Sequence, residues 1–120
     1  MAAPNIVNVS TITAKTVAAH LTATTTTTLL ANPSSSGKVF KINTILVSSV
    51  DPSNSADATI FFDDGTDNKA IGRTIAVPSN STLVLLDKNS VIYLEEGKSI
   101  EGGASAANDL DVIISYEEIS

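Results

Sequence analysis

Apolar side chains in this chain recur mostly at every second position, in short runs separated by clusters of Gly, Pro, Asn, Asp and Ser. A period of two sends successive side chains to opposite faces, so the pattern predicts strands. Near the start, NIVNVSTIT (residues 5–13) sets Ile6 and Ile12 on one face and Val7 and Val9 on the other, and reads as a strand or an extended arm. Val17, Ala19 and Leu21 then alternate ahead of five consecutive threonines, Thr24–Thr28. β-Branched residues lose χ1 freedom in a helix and suit a pleated ribbon. The run therefore reads as a strand closed by Leu29 and Leu30, with a disordered low-complexity linker as the other reading. NPSSSG supplies a turn after it.

KVFKINTILVSSV (residues 38–50) is the clearest strand, with Phe40, Ile42 and Leu46 on one face and Ile45 and Val47 on the other. A strand apolar on both faces in its later half predicts cover from both sides, by a second sheet or by a neighbouring subunit. ADATIFFDD and KAIGRTIAV flank DDGTDN as a hairpin, with Asp64-Gly65 at the position that needs a positive φ. TLVLLD, VIYL and LDVIISYEEI are further strands. In the last, Leu110, Val112, Ile114 and Tyr116 face in, while Asp111, Ser115 and Glu117 face out. Strands recur at intervals of about ten residues. No segment between them carries a 3.6-residue apolar period long enough for a crossover helix. The prediction is an all-β fold, an antiparallel β-sandwich or jelly-roll-like unit of about eight strands. Residues 1–13 form its strand or arm, and residues 14–120 a single sandwich domain.

The chain of 120 residues is one domain in size. Its formal net charge is −6, and the basic residues Lys15, Lys38, Lys41, Lys69, Arg73, Lys88 and Lys98 are scattered. Phosphate neutralisation needs clustered Lys and Arg, so no nucleic-acid partner is expected. With no cysteine there is no disulfide, thiolate metal site or thiol nucleophile. The opening MAAPNIVNVS lacks the charged and apolar regions of a signal peptide, and no apolar run approaches the ~20 residues of a membrane span. A cytosol-like setting and no membrane partner are the expectation.

YLEEGKSIEG (residues 93–102) offers acids that could suggest general acid–base chemistry. Adjacent residues on a strand point to opposite faces, however, so Glu95 and Glu96 cannot flank one substrate bond. They read as the exit of a strand into a Gly97 turn, with the next strand starting near Ser99-Ile100. Asp63, Asp64, Asp67 and Asn68 carry oxygen ligands of the kind calcium takes, but their spacing fits no helix–loop–helix site and no bidentate Glu follows. They read as a hairpin tip, with an adventitious surface cation the minor alternative. His20 is the one histidine, too few for a histidine zinc site, and its neighbours Ala18, Ala19 and Leu21 suggest a plain strand position. Gly102-Gly103 read as a turn or bulge, not a phosphate loop. The sequons at Asn8 and Asn80 are taken as chance. Phe40 and Tyr116 look committed to the core, leaving little for a sugar platform. No catalytic, metal or cofactor residue is assigned, and no enzyme is expected.

MAAPNIVNVSTITAKT at one end, with IYLEEGKSI and ANDLDVIISYEEIS at the other, resembles small virion structural proteins of tailed phages, especially those of cyanobacteria. The resemblance implies a jelly-roll-like building block, often trimeric, that decorates the outer capsid surface as a cement protein after assembly in the host cytoplasm. Its partners would be the major capsid protein or other virion proteins. A tail, neck or head-fibre component is the alternative, and a glycan- or ion-binding sandwich using the Asp63–Asn68 loop is the alternative of another class.

Overall fold

In a computed structural model of the chain, residues 9–120 are described. Among them nine strands and no helix form two antiparallel sheets. The strands are β1 (Ile12–His20), β2 (Thr27–Ala31), β3 (Val39–Ser49), β4 (Ala56–Asp63), β5 (Asn68–Val77), β6 (Thr82–Leu86), β7 (Ile92–Leu94), β8 (Ser99–Ala104) and β9 (Leu110–Ile119). One sheet runs β1-β9-β3-β6, with β7 also on β3, and the other runs β2-β8-β4-β5. β6 pairs with residues 45–48 of β3 and β7 with residues 40–42. The two short strands thus share one edge, and counted together they give each sheet four positions in jelly-roll order. The predicted sandwich is the observed fold.

The inner faces meet over a core that includes Ile42, Ile45, Ile60, Leu94, Ile100 and Ile114, all essentially inaccessible. Phe40 and Tyr116 close one end of it with ring centroids 5.1 Å apart. β9 turns in Leu110, Val112, Ile114 and Tyr116, as its alternation predicts.

Four details differ from expectation. The phase of β3 changes along its length: its register against β9 slips between Ile42 and Thr44, so Phe40 and Ile42 point inward before the slip and Ile45 and Val47 after it, which leaves Leu46 on the outer face and the later half apolar on both sides, as predicted. The bulged residue, Asn43, donates its side-chain amide to Glu117 at 2.9 Å. A bulge places two residues against one and reverses the alternation beyond it. Second, only Thr27 and Thr28 of the threonine run belong to a strand, and residues 21–26 are a loop. The chain changes sheets there. Leu21 is buried and bonded by its backbone to Leu110 and Asn108, so no ladder can continue. Third, Gly102 and Gly103 lie inside β8, where a Cβ on Gly102 would come within 2.7 Å of Ile60 Cδ1 and one on Gly103 within 3.2 Å of the Thr25 carbonyl. They are glycines because neighbours press on the strand, not because it turns. Fourth, Ile12 and Thr13 belong to β1, which crosses residue 14 without a break. Residues 9–11 precede β1 outside any strand, the Ser10 and Thr11 N–H groups donating to the Ser120 carbonyl, and residues 1–8 of the proposed arm lie outside the described residues.

Candidate functional site

Each sheet has an outer face, and the two differ. On the β2-β8-β4-β5 sheet, alternation along β4 presents Asp57, Thr59 and Phe61 outward. Opposite Thr59 the register of β5 slips, setting two residues, Arg73 and Thr74, against it between Gly72 and Ile75. Thr74 adopts φ 51°, a left-handed conformation that a β-branched residue rarely takes. Its N–H donates to Thr59 Oγ1 at 2.9 Å. On the other side, the 21–26 loop lies down on Gly103 and raises Thr24 and Thr26 as a wall. Between these walls is an open cleft of about 310 Å³, with Ser105 also in its lining. Ser105 Oγ accepts the Asp57 N–H at 2.8 Å.

The outer face of the other sheet is built in rows. Ala18, Ile113, Leu46 and Val84 stand in register across β1, β9, β3 and β6. Val84 is 57% exposed and Ile113 37%. Polar rows flank this apolar one, with Thr16, Ser115 and Thr44 on one side and His20, Asp111, Ser48 and Thr82 on the other. Beyond the row, β1 is an edge strand with no partner on its far side among the described residues. It has no bulge and no proline, and Lys15 is its one residue among Lys, Arg, Asp and Glu.

His20 Nδ1 meets Asp111 Oδ1 at 2.5 Å on this exposed face, a partner that reading the strand alone did not supply. The pair resembles two members of a nucleophilic triad, in which the imidazole must stand between hydroxyl and carboxylate. Here Asp111 stands between His20 and Ser48, and the Ser48 hydroxyl bonds to Thr82 at 3.1 Å. The order is wrong for general-base activation of that serine.

Glu95 and Glu96 leave the end of β7 into the Gly97 turn, as expected, and take different partners there. Glu95 lies 3.7 Å from Lys98, whereas Glu96 accepts the Gly37 N–H at 3.0 Å. Glu96 is half-buried, so it braces a second turn instead of standing free in solvent. At the β4–β5 hairpin, Asp63 Oδ1 accepts the Gly65 N–H, and Asp64 Oδ1 accepts those of Thr66 and Asp67, all within 3.0 Å. The Asp67 and Thr66 N–H groups hold the Asp64 carboxyl below its ordinary value. These oxygens close a turn with Gly65 at φ 94°. Among the described residues, no group of three or more metal-ligating acids or histidines forms.

The sequence reading missed the β4–β5–β8 cleft. Its one legible trace is Asp57, Thr59 and Phe61 at alternate positions: an acid, a hydroxyl and an aromatic on a single face.

Together these features define a two-sheet antiparallel β-sandwich with an apolar row on one outer face and a hydroxyl-lined cleft on the other. No family model, curated protein or solved structure matches the chain significantly.

Proposed function

We propose that the protein is a non-enzymatic structural unit of a tailed-phage virion, a cement protein that binds the outer capsid surface. The observation that carries the reading is the outward apolar row Ala18–Ile113–Leu46–Val84, continuous across four strands and ending at an edge that is unpaired among the described residues. Apolar side chains aligned in this way lose water-exposed area only when another surface covers them. An unprotected edge strand offers its free N–H and C=O groups to a further strand. The resemblance of both chain ends to phage virion proteins supplies the partner, the major capsid protein. Association of copies into trimers uses the same kind of surface. Acidic net charge suits a protein made in many copies, because like charge keeps free subunits apart before assembly.

A unit that binds only the assembled shell stabilises it by mass action, most strongly when it bridges several capsid subunits. Purified shells with and without the protein, heated together, test this: decorated shells should rupture at the higher temperature. Equal rupture temperatures, or no retention of the protein on shells, would reject the cement role. Copy number separates shell from appendage, with hundreds per particle expected on a shell and a few to some tens on a tail, neck or head fibre.

A further inference from the structure

We propose that the cleft between the 21–26 loop and strands β4, β5 and β8 is a binding site for a pyranose sugar. The argument is independent of the virion reading, which concerns the opposite face. At about 310 Å³ the cleft is at the lower end of the range for small-molecule sites. Its lining is unlike that of a site for an apolar ligand: four hydroxyl-bearing residues, Thr24, Thr26, Thr59 and Ser105, share it with a single aromatic, Phe61.

Asp57 and Arg73 also line the cleft, and among the described residues neither forms an ion pair. Two uncompensated charges of opposite sign suit a neutral ligand whose neighbouring groups both give and accept hydrogen bonds. Vicinal alcohols do this. One O–H donates to the carboxylate while an adjacent oxygen accepts from the guanidinium fork. The Thr59 and Ser105 oxygens already accept N–H groups from Thr74 and Asp57, which leaves their O–H protons free to donate. Phe61 is half-buried and lines the cleft, where the C–H side of a sugar ring can lie against it. A peptide strand is a poorer fit, because β4 and β8 pair on both sides and their backbone groups are occupied.

The backbone supports the assignment. The β5 bulge brings Arg73 to the cleft, and Thr74 holds its left-handed conformation against the Thr59 hydroxyl. Bulges and strained residues concentrate where a side chain is aimed at a ligand. A straight β5 would have kept its alternation through Thr74 and left the wall flat.

The test is amide chemical-shift titration of the isotope-labelled full chain with the methyl pyranosides of glucose, galactose, mannose and N-acetylglucosamine, and separately with inorganic phosphate. At least one pyranoside should shift the Thr59, Thr74 and Gly103 amides saturably in the millimolar range. Phe61→Ala should weaken that binding by about tenfold. Arg73→Ala, on an exposed side chain, should weaken it comparably with an unchanged melting temperature, and it remains informative if Phe61→Ala does not fold. The proposal is overturned if none of the four sugars moves these amides, or if Arg73→Ala leaves the affinity unchanged. Saturation by phosphate with no response to any sugar overturns it as well, since the cleft would then be an anion site built on Arg73 alone.

Discussion

The side-chain amide of Asn32 donates to the carbonyl of Leu94 at 2.9 Å, joining the end of β2 in one sheet to the end of β7 in the other. The same nitrogen donates to the Lys38 carbonyl at 2.9 Å, and Oδ1 accepts the Ser36 hydroxyl at 2.6 Å. Asn32 is buried, and so is its bond to the Leu94 carbonyl, while those to Lys38 and Ser36 are part-buried. Asn32→Ala strands two carbonyls and a hydroxyl, and urea unfolding should show a loss of about 2–4 kcal/mol. A loss below about 0.5 kcal/mol, the size of an ordinary surface change, would mean the network relaxes around the gap.

Thr74 carries the opposite expectation. A β-branched residue at φ 51° is held in a conformation that asparagine adopts at less cost. Thr74→Asn keeps the N–H that bonds to Thr59 and should stabilise the fold by about 0.5–1 kcal/mol, read as a rise in melting temperature. A fall would show that the threonine side chain makes a compensating contact.

Gly102 has no room for a side chain. An alanine Cβ there would meet Ile60 Cδ1 at 2.7 Å, Leu29 Cδ1 at 3.0 Å and the Thr59 carbonyl at 3.2 Å. Gly102→Ala should destabilise by about 1–3 kcal/mol through overpacking. Combining it with Ile60→Val should recover part of that loss, which a purely conformational effect would not allow.

Glu118 sits between Lys15 at 3.0 Å and Lys38 at 3.1 Å. Burial alone would raise its carboxyl, but hydrogen bonds from the two ammonium groups and their charges outweigh it, and the group lies below its ordinary value of 4.5. A depressed carboxyl contributes stability that is present above the unfolded value and lost as pH falls through the folded one. Asp51 adds in the same direction, held down by the Ser53 and Asn54 N–H groups. Melting temperature should therefore drop as pH falls below 4.5, and Glu118→Gln should flatten that drop. At the alkaline end, Lys15 is raised by the hydrogen bond to Glu118, so its contribution is present below its ordinary 10.5 and lost as pH rises through the higher folded value. High salt should weaken both trends, as it does for exposed pairs.

The apolar row makes a separable prediction. Val84→Ser with Ile113→Ser changes two outward side chains and should cost the isolated fold under about 1 kcal/mol. The pair should nevertheless reduce binding to shells and self-association measured by sedimentation.

Much of this architecture was legible in the sequence because alternation is a local property. β9 carries its inward face in alternate positions and folds as the pattern predicts, and the β4–β5 hairpin turns at Asp64-Gly65 as expected, although β5 slips its register against β4 in a way alternation does not show. The phase of β3 was not legible, since the slip at Asn43 depends on a tie to Glu117, a residue far along the chain. Gly102 and Gly103 misled for the same reason: the atoms that press on them come from Ile60, Leu29 and Thr25. The cleft is assembled from four stretches distant in sequence, and no single stretch carries its chemistry. His20 read correctly as a strand residue, but its pairing with Asp111 follows from the register of β1 on β9.

The division of one sheet edge between β6 and β7 leaves the hinge at Asp87, Lys88, Asn89 and Ser90 exposed, outside both ladders. Each short strand is zipped to β3 on its own, so lengthening the connection disturbs neither. This corner is where a foreign epitope or affinity tag can be spliced into the chain, for display on whatever assembly the protein joins, with the sandwich left intact.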